Sequence, residues 1–153
     1  MKNEITYLDL QQLEDELFNT PVSEDRLTSL KASSVDNSDI TELMYRYYLS
    51  VKDYPNAIHF LKLADAFNDS DAQLCLASLY QQGKYCVKDE ERAFMLFEKA
   101  AQNGESEAQY ELALNLLFKD NSAEDMKQGV YWLNESLLNG NDDSATLLAA
   151  LNS

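Results

Sequence analysis

The chain has 153 residues, with 27 Asp and Glu against 12 Lys and Arg, and a formal net charge of −15. Such a surplus of negative charge disfavours nucleic acid and anionic membrane surfaces, because both need Lys and Arg to neutralise phosphate; a basic protein is the natural complement, unless the charge serves solubility alone. Hydrophobic residues make up 45%, with only 4 Gly and 2 Pro, a balance that suits one domain with its own core and long helices rather than strands and tight turns.

The opening "MKNEITYLDLQQLEDELF" carries Glu4 and Asp9 and lacks the basic-then-apolar order of a secretory signal. No apolar run approaches the roughly 18 residues of a membrane span. The two cysteines, Cys75 and Cys86, form no CxxC pair, and so low a count suits a reducing compartment. The expected location is the cytoplasm. Apolar spacing predicts helices near 5–18 and 22–33, with Pro21 in the first turn of the second. Together they form an N-terminal helical cap over residues 1–37, the alternative being a flexible arm. The polar stretch "ASSVDNSD" (Ala32 to Asp39) is the expected boundary. Helical hairpins follow near 39–50 with 54–67, 71–82 with 89–102, and 106–118 with 123–138. A last helix covers about 143–152. Pro55 starts the second helix of the first hairpin, and Asp89 caps the second helix of the next.

The sequence matches itself when slid by 36. "NDSDAQLCLA" from Asn68, "GESEAQYELA" from Gly104 and "GNDDSATLLA" from Gly140 align. Asp71, Leu76 and Ala77 recur as Glu107, Leu112 and Ala113, then as Asp143, Leu148 and Ala149. The second half of each unit repeats as well: Ala57, Leu61, Ala64; Ala93, Phe97, Ala100; and, more loosely, Gly129, Leu133, Ser136. Two short helical segments in a period of this length point to an alpha solenoid. The small residues let paired helices approach, while Tyr80, Phe97, Leu112 and Leu116 fill the space between. Gly104 and Gly140 end their helices in the left-handed conformation.

The run from Ala72 to Gly104, with Leu76, Ala77, Tyr80, Gly83, Val87, Asp89, Ala93, Phe97, Ala100 and Ala101 in step, resembles a Sel-one-like (Sel1-like) repeat, SLR, a relative of the tetratricopeptide repeat. The unit from Glu105 to Gly140 departs from it: Lys119 stands where the loop glycine would be, and Gly129 and Leu137 replace alanines. The unit from about Ser38 to Asp69 lacks the long loop and is closer to a plain tetratricopeptide repeat. The resemblance covers roughly residues 38 to 153. It implies an all-α fold, a short right-handed alpha solenoid of helix-turn-helix repeats, about three hairpins plus a C-terminal helix, compact as one domain with the cap. Secreted members of the family can carry disulfides across a hairpin, but Cys75 and Cys86 do not occupy matching places and are expected to be free thiols.

Chemistry is sparse. His59 is the one histidine; a histidine metal site needs more ligands, and nothing marks a nucleophile for it to serve. The carboxylates of "LEDELF", "KDEERA" and "NGESEAQYE" fall at helix starts and on polar faces, without the alternating ligands and central glycine of a calcium loop. No phosphate-binding glycine loop is present. No catalytic residue, cofactor or metal is expected. An enzyme would have to hide its groups among His59, the two cysteines and these carboxylates.

Binding is therefore sought on the face made by the first helix of each hairpin. Rotation by 100° per residue places Asp71, Leu74, Ser78, Gln81 and Gln82 opposite the core side of their helix. The same positions are Glu107, Tyr110, Leu114, Leu117 and Phe118 one repeat on, and Asp39, Glu42, Arg46 and Leu49 one repeat back. Asp39, Asp71, Glu107 and Asp143 recur in register: they form an acidic ladder along a groove, or each serves only the positive start of its own helix. The helix 106–118 is apolar on nearly every side and must be covered, either by the last helix through Leu147, Leu148 and Leu151 or by a partner, another protein or a second copy of the chain. The expected function is non-enzymatic protein binding, which the family resemblance implies. Within it stands a small acidic inhibitor, such as an immunity protein neutralising a basic toxin or effector. The alternative is a general adaptor, scaffold or regulator in a bacterial signalling or secretion pathway.

Overall fold

The computed structural model describes residues 7–119 and 122–152, and among them it contains nine α-helices and no strand. The helices are α1 (Tyr7–Asn19), α2 (Glu24–Ser34), α3 (Ser38–Ser50), α4 (Tyr54–Ala66), α5 (Ser70–Gln82), α6 (Glu90–Gln102), α7 (Ser106–Phe118), α8 (Ala123–Leu138) and α9 (Asp143–Leu151). The starts of α2 to α6 and of α8 carry short polar caps whose side chains accept an otherwise orphaned backbone N–H. Asn37 accepts from Ile40 at 3.0 Å, Asp69 from Ala72 at 2.9 Å, Asp89 from Arg92 at 3.0 Å and Ser122 from Asp125 at 3.0 Å. Pro55 lies in the first turn of α4. Pro21 does not begin α2: Ser23 caps that helix by accepting from Arg26, so the proline belongs to the preceding turn.

The chain divides into two units, residues 1–67 and 68–153. Within the first unit α2 packs on α3. In the first unit, α1 and α2 both rest on α3, and α3 pairs with α4. Leu13, Leu17 and Leu30 join Ile40, Met44, Phe60 and Leu61 as buried residues of this unit. The rings of Tyr48 and Phe60 stack with centroids 5.6 Å apart.

In the second unit each helix packs on the next in sequence, α5 to α9. Alanines occupy the closest approaches: Ala72, Ala77, Ala93, Ala100, Ala101, Ala108 and Ala113 are all buried. A polar lock repeats with the 36-residue period. The buried amides of Gln73 and Gln109 each accept from an asparagine thirty residues on, Asn103 at 3.2 Å and Asn139 at 3.0 Å. Gln109 also donates to the Ala101 carbonyl at 3.0 Å. Gly104 and Gly140 take φ of 90° and 98°; Asn68, one period earlier, takes 62°, a conformation asparagine tolerates better than other residues with a side chain. At the third repeat the alanine pair Ala100 and Ala108 becomes Ser136 and Ser144. Both serines are fully buried and hydrogen-bonded to each other at 2.9 Å.

Candidate functional site

The open surface of the second unit is the side of α7 that carries Glu107, Tyr110, Glu111, Leu114 and Phe118. These positions recur at three and four residues and therefore form one stripe. Two clefts lie along it. At the N-terminal half, a cleft of about 510 Å³ is lined by Glu105, Glu107, Tyr110 and Glu111 together with Asp142 and Asp143 at the start of α9. At the C-terminal half, a cleft of about 400 Å³ is lined by Ala93, Glu111, Leu114, Asn115 and Phe118, with Gln81 at the end of α5. Glu111 belongs to both.

Electrostatics distinguish the two halves. Among the described residues, no Lys or Arg pairs with Asp71, Glu105, Glu107, Glu111, Asp142 or Asp143. Partial burial pushes the Glu105 carboxyl above its ordinary range, and the neighbouring Asp71 pushes it the same way, while the Glu107 backbone N–H opposes them. Glu111 is raised by partial burial too, with Glu107 adding to it and the Gln81 amide opposing. Carboxylates held near one another without a cation carry an unfavourable field that a basic ligand relieves. At the far rim, Lys119 lies 4.0 Å from Glu90, which Lys88 approaches to 2.7 Å.

The predicted residues divide as follows. Glu107, Tyr110, Leu114, Phe118 and Asp143 line the two clefts. Asp71 is exposed on the first turn of α5 beside Glu105. Leu74 and Ser78 are half-buried, and the Ser78 hydroxyl is spent on the Leu74 carbonyl of its own helix at 3.0 Å. Asp39 and Glu42 line a separate cleft in the first unit, of about 210 Å³, with Glu14 and Arg46. Leu117 is a correction. It is 4% exposed and belongs to the core with Ala113 and Leu133. Its room comes from Gly129: a Cβ there would stand 2.6 Å from Leu117 Cγ. The preceding repeat has Gln81 and Ala93 at these two positions, so the larger residue on α7 is matched by a smaller one on α8. Leu147 and Leu148 of α9, with Tyr110 and Trp132, pack against this cluster. That side of α7 is covered within the chain, while Phe118 is 63% exposed.

Sequence reasoning missed Glu105, Glu111 and Asp142. The acidic ladder of Asp39, Asp71, Glu107 and Asp143 follows first-turn positions only. The signal for Glu111 was its place four residues after Glu107, one turn further on the same face.

Little here resembles a reaction centre. His59 is exposed, edge-on to Phe60 at 5.0 Å. Burial pushes the Cys75 thiol up, away from the reactive thiolate. Cys75 and Cys86 are free thiols, and no His, Cys, Asp and Glu grouping among the described residues is placed to hold a metal ion. No helix among the described residues is long and apolar enough to cross a membrane.

A repeated pair of antiparallel helices, locked to the next pair by small residues, defines an alpha solenoid of the SLR class. Residues 70–105 and 106–141 each match the Sel1 repeat. A Sel1 repeat protein from Oxalobacter formigenes shares 26% identity with a TM-score of 0.70, covering 81% of this chain and 97% of that one. The protective antigen c5321 of uropathogenic Escherichia coli, which displays an SLR fold, has a TM-score of 0.76 at 22% identity; it covers 94% of this chain, which spans 32% of that protein. Helicobacter pylori cysteine rich protein B has a TM-score of 0.62 at 18% identity, covering 82% of this chain and 97% of that one. The last two likenesses concern the fold. No curated protein matches the chain in sequence. Sel1 repeats generally mediate protein–protein interaction.

Proposed function

We propose that the protein is a non-enzymatic binding module whose acidic face on α7 captures a basic protein, in the manner of an inhibitor that neutralises a basic toxin or effector. The observation that carries this reading is the set of acidic side chains around Glu105, Glu107 and Glu111 that no cation of the described chain balances. A net charge of −15 adds a long-range field of the same sign, which speeds encounter with a positive surface. Two free cysteines suit a cytoplasmic setting.

Affinity capture from the native host, followed by kinetics on the recovered protein, tests the reading. A basic, toxin-like or effector-like partner, whose activity falls when the protein binds, supports it. Its association rate should drop roughly tenfold or more between low and high salt. Recovery of housekeeping chaperones alone refutes the reading, and a partner whose activity is unchanged on binding points to an adaptor. A salt-insensitive rate removes the electrostatic part.

A further inference from the structure

The two halves of the α7 face are chemically unlike, and they are joined. The C-terminal half offers an apolar cleft between Leu114, Ala93 and the exposed ring of Phe118. An aromatic ring left in water at the rim of a cleft is the usual form of an anchor point in recognition. The N-terminal half gathers five carboxylates around Tyr110, those of Glu105, Glu107, Glu111, Asp142 and Asp143. Glu111 is the shared wall. From Glu107 to Leu114 is seven residues of helix, roughly 10 Å at the usual rise. That is about three residues of an extended chain.

We propose that this face is a two-part site for one segment of a partner protein: an apolar side chain seats at Leu114 and Phe118, and Lys or Arg side chains about three residues away seat among Glu105, Glu107 and Asp143. The proposal rests on the protein-binding reading above and adds the chemistry of the segment. Charge complementarity argues for it. Among the described residues no Lys or Arg lines the acidic half, while at the apolar half Glu90 already has Lys88 and Lys119 beside it. A purely basic ligand would leave the apolar cleft empty, and a purely apolar one would leave the carboxylates facing one another. Partial burial of Glu105 and Glu111 strengthens the preference for a cation, because a charge in a less watery setting is felt more strongly.

The test uses the full chain and short labelled peptides with uncharged, polar backgrounds, read by fluorescence anisotropy at low salt. One peptide carries a Phe and, three residues away, two Lys. Others carry the Phe alone, the Lys pair alone, or the same residues with Phe and Lys adjacent. The first should bind roughly tenfold tighter than any other, the size of one good anchor. Phe118→Ser and Leu114→Ser should erase the advantage given by Phe, and Glu107→Gln with Glu111→Gln should erase the advantage given by Lys. Phe118 is exposed, so Phe118→Ser alone decides the apolar half if Leu114→Ser disturbs the fold. Equal binding of the first peptide and the Lys-only peptide overturns the proposal; so does insensitivity to these variants, or no binding at roughly 1 mM. A natural partner that binds the wild type and these variants alike also overturns it, while leaving the protein-binding reading intact; absence of any partner removes both.

Discussion

The first helices of two hairpins, α3 and α7, carry acids at matching positions but meet different surroundings. On α3, Asp39 and Glu42 lie beside Arg46, which also reaches Glu14 of α1 at 2.6 Å. The Arg46 guanidinium lies over the Phe18 ring at 5.6 Å. A neighbouring helix therefore borders this face, and Arg46 meets two of its three carboxylates, Glu14 and Glu42, within the chain. On α7, Glu107 and Glu111 have no such helix across them and no cation among the described residues. A repeat position alone does not make a binding surface. What lies against it, and whether its charge is met within the chain, decides.

Stability variants sharpen that contrast, the largest effect first. Leu117→Ala removes a core side chain and should destabilise the fold by about 2–4 kcal/mol, whereas Phe118→Ser, one residue on and exposed, should change it by less than about 0.5 kcal/mol. Denaturant melts of the two variants separate the covered side of α7 from the open one; equal losses would break the assignment. Gly129→Ala should destabilise by about 1 kcal/mol, overpacking against Leu117 outweighing the gain in helix propensity. In a Leu117→Ala background the sign should reverse, because the obstructing side chain is gone; a double-mutant cycle measures the coupling. Arg46→Gln should lower stability by less than about 1 kcal/mol, as expected for exposed ion pairs, and its effect should shrink as salt rises.

The smallest effect concerns pH. Glu111 has a folded pKa raised above its ordinary value, by partial burial first and by Glu107 second. A raised carboxyl binds its proton more tightly in the folded state, so its contribution to stability is full below the ordinary carboxylate pKa and is lost as pH rises through the folded value. The charged groups sharing its clefts are Glu105, Glu107, Asp142 and Asp143 on one side, and Glu90 with Lys119 on the other. Glu111→Gln should therefore be slightly more stable than the wild type at neutral pH, and the difference should vanish in acid. Thermal melts from neutral to acidic pH measure it, and an unchanged difference across that range would contradict the raised pKa.

Much of this fold was legible in the sequence. The 36-residue period, the cap Asp89 and the left-handed Gly104 and Gly140 are local signals, and local signals survive folding when each agrees with its neighbours. The side taken by Leu117 was not legible, because α7 carries apolar residues on nearly every side and has no single apolar stripe to read. Its burial depends on Gly129, a residue twelve positions away, and only the packed pair explains both. The bond from Arg46 to Glu14 of α1 is hidden for a similar reason: the two residues are thirty-two apart, and no periodicity links them. Glu105 occupies the position of the Asp69 cap one period on. It makes no cap bond of the kind that Asp69 makes to the Ala72 N–H, which no reading of residue type reveals.

The central claim is that binding sits on the open face of α7 and not on α3. Amide chemical-shift mapping during titration with the peptide carrying both Phe and Lys tests it most directly. The account expects shifts at Glu105, Glu107, Tyr110, Glu111 and Phe118 and at the start of α9, with Asp39, Glu42 and Arg46 unmoved. Shifts centred on α3, or spread evenly over every acidic helix start, would contradict it.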